Sequence, residues 1–499
     1  MTVDEAGFAL TAEQLAIIAR PPNADAKVIA GAGCAKTSTL IAYARNWPED
    51  GLYLAFNAAI AHEARNRLPS NIHASTVHGL AYNCMGVRQH QSRLVNRLRP
   101  DHLDAFARDI PRATGLTPTR TRRAVVQAIE TWCRSSDDEI SEDHVIGLTA
   151  YASRDIARIA RPIAEQLTAF ETSDHPLTHD LYAKRFALVG RIPDKHEYIQ
   201  VDEAQDLNGL MRQIIDRANR PVILVGDPHQ AIFGFNGSLN LLRENAAPES
   251  TLSLSWRFGQ QLANLANNIL SHHPEPPVLP LRGNPTLDTV VIPYTGRLGG
   301  SCTLLSRTNA RLFQGLVAAE RTFHVIGGAD EMFRQIGSAY ALYRGLPDTD
   351  RDPTVRRWLT WADLLADAEG SYDPDAKRLS AIILAHGDAI PGHLERLRGL
   401  SCKDARKAHL VLSTAHRAKG LEWDTIVVLD DFQTPAEMIA QVERRRMTRR
   451  AYAEEICLQY VAATRARLRL VLARPLYEAY QVPNSAARSK AGRDTSWDN

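Results

Sequence analysis

The sequence has 499 residues, of which 44% are hydrophobic and 23% are charged, a composition typical of a soluble globular protein. This length predicts several domains. No run of about 18 apolar residues is present, which argues against a transmembrane helix and a membrane partner. The first residues, MTVDEAGFALTAEQ, do not have the pattern of a signal peptide. The formal net charge of +2 neither requires nor excludes a nucleic-acid partner, so such a contact has to come from local basic patches.

The six cysteines are scattered along the chain and form no CxxC pair. This pattern argues against a disulfide framework and against a zinc site. It fits a reducing compartment, and we therefore expect a cytoplasmic protein.

Short apolar runs rich in β-branched residues recur along the chain, and each is followed by a polar or glycine-containing turn. Continuous apolar strands of this kind are typical of parallel sheets that are buried on both faces. Helical-period segments lie between them, for example at 60–68 and 260–270. The alternation predicts an α/β fold. The predicted strands lie at 27–33, 52–57, 198–206, 222–227, 303–308, 409–414 and 425–431.

The predicted strands fall into two groups, each interrupted by a mostly helical stretch. This layout predicts two parallel-sheet cores, each with a mainly helical insertion. The first insertion, 84–185, is rich in arginine, and the second, 346–404, is shorter. Small polar residues predict a disordered tail over 483–499. The first core is expected to comprise 1–83 with 186–250, and the second 251–345 with 405–482.

The segment after the first predicted strand has the features of a phosphate-binding loop. A strand, a tight glycine turn and a helix N-terminus form an anion cradle, because backbone N–H groups and the helix dipole point at the ligand. Lys36 would reach the β- and γ-phosphates, and the Thr37 hydroxyl would contact Mg²⁺. The strict pattern GxxxxGK[ST] is not met, since Ala30 and Ala35 occupy both glycine positions, so a chance Gly/Ala turn is the alternative. The predicted loop comprises Gly31, Ala32, Gly33, Cys34, Ala35, Lys36, Thr37 and Ser38.

Two carboxylates follow another apolar strand, in the string YIQVDEAQD. Asp202 can hold Mg²⁺ through a water molecule, and Glu203 can polarise the water that attacks the γ-phosphate. An ordinary acidic loop at a strand end is the alternative interpretation. The phosphate-loop pattern upstream and the complete string DEAQD favour the catalytic one.

The string DEAQD resembles the signature of the UvrD/Rep/PcrA-like superfamily 1A DNA helicases, and further segments resemble that family's motifs in the family's order. The resemblance covers residues 10–473 and implies two RecA-like P-loop domains. GDPHQ, SWRFGQQLA and AKGLEWDTIVVLDDF are similar to the F-box DNA helicase subgroup. The F-box itself is not found, so no ubiquitin-ligase role is expected. The further segments are LTAEQ, AFNAAIAHEARNRL, STVHGLAY, VGDPHQAIFGFNGS, SLSWRFG, STAHRAKGLEWD and YVAATRAR.

The resemblance implies contacts to the adenosine part of ATP. Gln14 would read the adenine, Trp256 would lie beside it, and Glu422 would contact the ribose. A core aromatic is the alternative for Trp256, and the role of Gln14 depends on the ordered set of motifs.

The resemblance also implies three residues that respond to the γ-phosphate. Gln230 would sense it, and Arg257 and Arg465 would neutralise its charge as arginine fingers. Since the lysine loop and the two arginines belong to different cores, ATP with Mg²⁺ is expected in the cleft between the cores and would favour its closure.

A path for single-stranded DNA across both cores is implied as well. Phe233 and Phe235 would stack on bases, which gives sequence-tolerant binding of roughly 1–3 kcal/mol per base; core packing is the alternative. Arg120, Arg122 and Arg123 of the first insertion could contact duplex DNA, or could belong to a solvated helical face. The other expected DNA contacts are Asn57, Thr76, His78, Thr414 and His416.

Three residues depart from the family's pattern. Val77 stands where a phenylalanine against DNA is common, and Asn236 replaces an arginine after the stacking aromatic. Ala35 adds a methyl group beside the phosphate path and restricts the backbone. We expect these departures to affect turnover and unwinding rather than the fold.

Together these features predict an ATP-dependent translocase on single-stranded DNA and a 3′→5′ helicase in DNA repair, recombination or replication. A recombinase-stripping translocase is one alternative. A nucleotide-gated DNA-binding subunit of a repair or phage-defence complex, with weak ATPase activity, is another. Single-stranded DNA and its junctions with duplex are the expected partners, with a recombinase or a nuclease as candidate protein partners. A bacterial or phage-encoded, nucleoid-associated protein is expected.

Overall fold

The computed structural model divides the chain into two compact units, Met1–Leu252 and Ser253–Asn499. The division falls two residues from the boundary expected between the two cores, and the finer domain limits stay a prediction. The expectations for Phe233, Phe235, Asn236 and the tail 483–499 lie outside the described residues. The structure describes residues 9–108, 110, 113, 115–232, 240–296, 301–318, 320–348, 351–370 and 374–481.

The first unit contains a six-stranded sheet in which all paired strands run parallel. Its strands are β1 Ala26–Ala30, β2 Gly51–Ala55, β3 Ile72–Thr76, β4 Tyr198–Val201, β5 Val222–Gly226 and β6 Glu249–Leu252. The order is β3-β2-β4-β5-β1-β6, and β2, β4 and β5 are buried along their whole length. Because the carboxyl ends of parallel strands meet at one edge, the segments that follow β1, β4 and β5 come together there.

Helices surround this sheet and share its core. In the stretch between β3 and β4, Trp132 of α5 and Ile156 of α6 are buried in the same apolar cluster as Leu54 of β2. The arginine-rich stretch is therefore helical and packs as part of the first unit. The helices are α1 Ala12–Ile18, α2 Lys36–Asn46, α3 Ala58–Arg67, α4 Val77–Cys84, α5 Pro118–Arg134, α6 Ala150–Thr168, α7 His179–Val189, α8 Gly209–Asp216 and α9 Leu241–Glu244.

The second unit repeats this plan with another six-stranded parallel sheet. Its strands are β7 Val290–Pro293, β8 Cys302–Ser306, β9 Phe323–Val325, β10 Leu410–Thr414, β11 Trp423–Val428 and β12 Ala466–Leu472. The order is β7-β12-β11-β8-β10-β9, so β11 and β8 lie at the centre. The carboxyl ends of β10 and β8 again share one edge.

The helices of the second unit include three from the stretch 346–404. Ile383 of α14 and Leu397 of α15 are buried in one apolar cluster with Phe313 of α11 and Leu412 of β10. This short stretch is therefore part of the second core. The helices are α10 Gln260–Leu270, α11 Asn309–Val317, α12 Asp330–Arg344, α13 Trp361–Gly370, α14 Pro374–His386, α15 Ile390–Leu400, α16 Pro435–Glu443, α17 Arg449–Ala463 and α18 Arg474–Gln481.

The expected α/β fold with two parallel sheets is confirmed. The seven strands expected from apolar runs correspond to β1, β2, β4, β5, β8, β10 and β11. The five others have weaker patterns: β3, β6, β7 and β9 are edge strands, and β12 has arginines in its exposed first half. Among the described residues, no helix is long and apolar enough to cross a membrane.

Candidate nucleotide and DNA site

The loop 31–35 connects β1 to α2, which begins at Lys36. Its backbone turns through two left-handed residues, Gly33 with a φ of 73° and Ala35 with a φ of 56° and a ψ of 40°. Glycine adopts this conformation freely, whereas for alanine the crowding of its Cβ costs roughly 1–2 kcal/mol. Ala35 thus takes the backbone conformation that suits the glycine of the strict pattern, and the loop keeps its path at some cost in stability.

The remaining loop residues support this turn. Ala32 and Cys34 are buried, and the Cys34 backbone N–H donates to the Gly31 carbonyl over 3.2 Å. Burial raises the pKa of the Cys34 thiol far above its ordinary value, so this side chain stays neutral. The Ser38 hydroxyl accepts a hydrogen bond of 3.1 Å from Arg67, which ties α2 to α3. These contacts hold the loop from the side of the protein core.

The Asp202 carboxylate follows β4 and is 1% exposed. Its Oδ2 accepts hydrogen bonds from the Thr37 hydroxyl at 2.6 Å and from the Tyr53 hydroxyl at 2.7 Å. Its Oδ1 accepts from the Glu203 backbone N–H at 3.0 Å. Burial raises the pKa of Asp202, as does the charge of Glu203, while the two hydroxyl donors act in the opposite direction. A hydroxyl beside a carboxylate is a donor set that suits Mg²⁺, so Thr37 and Asp202 fit the expected metal site.

The second acidic side chain pairs with the lysine of the loop. Lys36 Nζ lies 3.5 Å from Glu203 Oε1, across a sequence separation of 167 residues. Glu203 also has a left-handed backbone, with a φ of 55° and a ψ of 46°. The fold therefore brings together the phosphate loop and both carboxylates that the sequence singled out, at the carboxyl edge of the first sheet.

A chain of hydrogen bonds runs from Glu203 to Gln230. Gln205 Nε2 donates to Glu203 Oε2 at 2.7 Å, and its Oε1 accepts from the Asp227 backbone N–H at 3.1 Å. Gln230 Nε2 donates to Asp227 Oδ2 at 2.9 Å. A Cβ at Gly226 would lie 2.2 Å from Gln205 Oε1, so a larger residue here would displace the Gln205 amide. The carboxylate after β4 is thus linked to the expected γ-phosphate sensor after β5.

Gln14 lies in the first turn of α1 and is 3% exposed. Its Oε1 accepts from the Thr11 backbone N–H at 3.0 Å, and its Nε2 donates to the Thr39 hydroxyl at 3.0 Å. The amide therefore links α1 to α2 beside the loop. To read an adenine, it would use the second lone pair of Oε1 and the second N–H of Nε2.

The second unit contains the two arginines expected at the γ-phosphate and the glutamate expected at the ribose. Arg257 Nε donates to Glu422 Oε2 at 2.6 Å, and its Nη1 donates to the Thr464 carbonyl at 3.0 Å. Arg465 is 1% exposed, and its guanidinium donates to the Val461 carbonyl at 3.0 Å and to the Thr464 hydroxyl at 3.2 Å. Arg257, which follows the half-buried Trp256, is the more accessible of the two arginines.

Two expected DNA contacts of the first unit cap helices at its carboxyl edge. Asn57 Oδ1 accepts from the Ile60 backbone N–H at 2.9 Å at the start of α3, and Thr76 Oγ1 accepts from Gly79 at 2.9 Å at the start of α4. Because β2 and β3 are parallel neighbours, both helix N-termini begin at the same edge of the sheet. Helix N-termini attract phosphate, which suits a nucleic-acid backbone.

The expected DNA-contacting histidines lie in different surroundings. His78 Nε2 lies 3.3 Å from Asp180 Oδ1, and Arg134 holds the other oxygen of this carboxylate at 2.9 Å. His416 follows β10 and Thr414, and its pKa is lowered to about 4 by burial and by nearby positive charges. His416 is therefore neutral near pH 7 and would contact DNA as a hydrogen-bonding group.

Comparison with known proteins agrees with this geometry. Residues 10–246 match the sequence model of the UvrD/REP helicase N-terminal domain, and residues 394–475 match that of the UvrD-like helicase C-terminal domain. Together the two matches span more than half of the chain. The chain belongs to the UvrD/REP helicase family. The family expected from the motifs is confirmed.

Several UvrD/REP relatives align over most of this chain. F-box DNA helicase protein 1 of Schizosaccharomyces pombe is 27% identical over 97% of this chain and 59% of its own length. F-box DNA helicase 1 of Gallus gallus is 28% identical over 90% of this chain and 47% of its own. ATP-dependent DNA helicase UvrD2 of Mycobacterium tuberculosis is 26% identical over 90% of this chain and 76% of its own length. The chain thus spans about half the length of the two F-box relatives.

Among solved structures, the Arterivirus nonstructural protein 10 (helicase) aligns with 92% of this chain and 62% of its own. The sequence identity is 11% and the TM-score is 0.34. At this identity and TM-score, the two structures share too little for a residue-level comparison.

Three polar residues of the first-unit site were not singled out by the sequence. Tyr53 lies in an apolar strand, where its hydroxyl gave no separate signal. Gln205 is part of DEAQD, but its contact with Asp227 depends on how β4 and β5 are paired. Asp180 lies in α7, about 100 residues from His78.

Replacing Ala35 with glycine tests the left-handed turn. We expect Ala35→Gly to leave the free energy of unfolding within about 1 kcal/mol of the native value, because relief of the Cβ strain offsets the larger entropy of the unfolded chain. ATP turnover should be preserved or raised. Urea denaturation and a steady-state ATPase assay measure the two effects, and a large loss of turnover would contradict the assigned loop geometry.

Replacing Tyr53 with phenylalanine removes one donor from Asp202. We expect Tyr53→Phe to lower the free energy of unfolding by roughly 1–3 kcal/mol, because a buried carboxylate loses a hydrogen bond. We also expect a higher Mg²⁺ concentration for half-maximal ATP hydrolysis. Tyr43→Phe, at a buried tyrosine of α2, is the control for hydroxyl loss. Equal Mg²⁺ dependence in both variants would show that the Tyr53 hydroxyl has only a structural role.

Proposed function

We propose that this protein is an ATP-driven motor that moves along single-stranded DNA in the 3′→5′ direction and unwinds duplex DNA at junctions. The observation that carries the proposal is the joint placement of Lys36, Thr37, Asp202 and Glu203 at the carboxyl edge of one sheet. Thr37 bonds to Asp202 at 2.6 Å, and Lys36 pairs with Glu203 at 3.5 Å. This is the side-chain set that phosphoryl transfer from a nucleotide requires.

Each residue of the first unit has a defined part in this proposal. Lys36 neutralises charge on the β- and γ-phosphates, and Thr37 and Asp202 hold Mg²⁺. When bound, Mg²⁺ supplies further positive charge to the transferring phosphoryl group. Glu203 orients the attacking water. The Gln205 amide, which bonds to Glu203 and Asp227, keeps that carboxylate in place.

The second unit contributes positive charge in the proposed reaction. We propose that Arg257 stabilises the developing charge on the γ-phosphate. The Glu422 carboxylate, which neutralises its guanidinium at 2.6 Å, would then give way to phosphate oxygens, while the bond to the Thr464 carbonyl positions the side chain. Arg465 is buried and bonds to main-chain carbonyls, so we propose that it orients the Arg257 segment through Thr464 and reaches phosphate only after exchanging those partners.

DNA contacts are proposed at the carboxyl edges of the sheets. The α3 and α4 N-termini, capped by Asn57 and Thr76, suit phosphate groups. His78, held by Asp180, and the neutral His416 add polar contacts, with Thr414 at the end of β10. The binding of single-stranded DNA should weaken with salt, as phosphate contacts release counterions. We propose a role in repair, recombination or replication, where strands and junctions of this kind arise.

Substitution of the loop lysine tests the ATPase proposal. We expect Lys36→Ala to reduce DNA-stimulated ATP hydrolysis by about 100-fold or more, because charge neutralisation at the phosphates is lost. The fold should be kept, as measured by circular dichroism and urea denaturation. Lys195→Ala, an exposed lysine before β4, is the matched control and should hydrolyse ATP at the native rate. Retained turnover in Lys36→Ala would refute the site, and no DNA-stimulated turnover in the native protein would favour a nucleotide-gated binding subunit.

Unwinding of tailed duplexes tests the direction of movement. Partial duplexes that have either a 3′ or a 5′ single-stranded tail are incubated with ATP and Mg²⁺. We expect the 3′-tailed substrate to be unwound, because a 3′→5′ motor that loads on this tail moves toward the duplex. The blunt duplex serves as the control. Preferential unwinding of the 5′-tailed substrate would overturn the proposed direction.

A further inference from the structure

A concentrated basic segment lies between α16 and α17. Five of the seven residues 444–450 are arginine, in a chain whose formal net charge is only +2. All five arginine side chains are exposed, and Glu443 is the one acidic residue beside them. We call residues 443–450 the arginine turn. The positive charge of the arginine turn is concentrated on one short surface segment, so it attracts an anionic partner to this face.

The arginine turn has a defined backbone. After α16 ends at Glu443, the backbone N–H groups of Arg445 and Arg446 donate to the carbonyls of Val442 at 3.0 Å and Gln441 at 2.8 Å. Arg445 has a left-handed φ of 55°. The Thr448 hydroxyl then accepts from Ala451 at 3.1 Å and caps α17. The arginines are therefore presented by a folded turn between two helices.

Three of these arginines lack an ion-pair partner among the residues that the structure describes. Within the described part of the chain, no carboxylate forms an ion pair with Arg444, Arg445 or Arg446. Arg450 pairs with Glu454 at 3.0 Å, and the nearby Glu455 is occupied by Arg307 at 2.8 Å. Guanidinium groups bind phosphate in bidentate geometry. The arginine turn thus offers strong donors to an external anion.

The chemistry of the turn favours a partner that presents phosphates alone. Sites for single-stranded nucleic acid combine basic groups with aromatic stacking platforms. The arginine turn contains no aromatic residue. The nearest aromatic residue along the sequence, Tyr452, is half-buried, and its hydroxyl donates to the His272 carbonyl at 2.9 Å. Duplex DNA keeps its bases stacked inside and presents one negative charge per about 1.7 Å of helix axis.

We propose that the arginine turn is a docking surface for the phosphate backbone of duplex DNA. The segment contains none of the residues to which ATP and single-strand contacts are assigned. The choice of DNA over an acidic protein rests on the proposed function. The contact is independent of base sequence and strongly dependent on salt.

The test compares three neutralised arginines in the turn with three elsewhere in the second unit. The variant is Arg444→Gln/Arg446→Gln/Arg449→Gln, which leaves the left-handed Arg445 unchanged. The charge-matched control is Arg398→Gln/Arg406→Gln/Arg474→Gln, at exposed positions outside the turn. Binding to a short blunt duplex is measured by fluorescence anisotropy over a range of salt concentrations, without nucleotide. Thermal melting verifies that each variant is folded.

We expect the slope of log affinity against log salt to become shallower by about 2–3 in the turn variant, because each lost phosphate contact contributes about 0.9. The control variant should keep the native slope. The lysine variant Arg444→Lys/Arg446→Lys/Arg449→Lys should keep most of the native salt slope, since the positive charges remain. A native slope in the glutamine variant would overturn the proposal and leave an acidic protein as the partner of this face. An equal loss in the charge-matched control would also overturn it.

ATP hydrolysis stimulated by single-stranded DNA is measured on the same variants, so that the two proposals fail separately. The turn variant should retain native stimulation, because its substitutions lie outside the proposed catalytic set. If the native protein shows no stimulation while the duplex slope depends on the turn, the motor proposal fails and the docking surface stands. If stimulation is present and the slope does not depend on the turn, the docking surface fails alone.

Discussion

The Asp202 carboxylate is the point where three parts of the first sheet meet. Its oxygens accept hydrogen bonds from Thr37 at the start of α2, from Tyr53 of β2 and from the backbone of Glu203 after β4. A charged group that is almost completely buried is tolerated only when such donors satisfy it, and loss of one donor costs roughly 1–3 kcal/mol. The phosphate loop, β2 and β4 therefore have to keep one relative arrangement. The proposed metal site uses that arrangement.

Two residues beside this carboxylate have strained backbones. Ala35 and Glu203 are two of the four non-glycine residues with a positive φ in the described part of the chain. Such conformations persist only where the surrounding structure determines them, and they concentrate at functional sites. Ala35 adopts the glycine-like turn of the loop, and Glu203 is turned toward Lys36 and Gln205. The folding free energy of the surrounding sheet thus offsets the backbone strain that the site geometry requires.

Both units bring together residues that are distant in the chain. In the first, Gln205 connects the carboxylate after β4 with Asp227 after β5, and Gly226 leaves the space that its amide occupies. In the second, Arg257 bonds to Glu422 and to the Thr464 carbonyl, and Arg465 bonds to the hydroxyl of the same threonine. In the first unit the parallel order of the strands places these segments at the carboxyl edge, whereas in the second unit Glu422 and Thr464 lie just before the parallel neighbours β11 and β12, at the amino edge. Chemistry proposed for either unit depends on that order.

The amino-acid sequence by itself determined the α/β class, the central strands, the phosphate loop, the DEAQD carboxylates and the family. These features depend on local periodicity and on short contiguous motifs, which can be recognised in the sequence without knowledge of the fold. It did not determine the edge strands, whose apolar runs are short or interrupted by charge. Nor did it predict the partners of Asp202, Gln205 and Arg257, or the use of the Gln14 amide between Thr11 and Thr39. The Thr11–Gln14 contact is a local helix cap. Most of the others join groups up to about 200 residues apart, and only the pairing of the strands and the packing of the helices bring them within hydrogen-bonding distance.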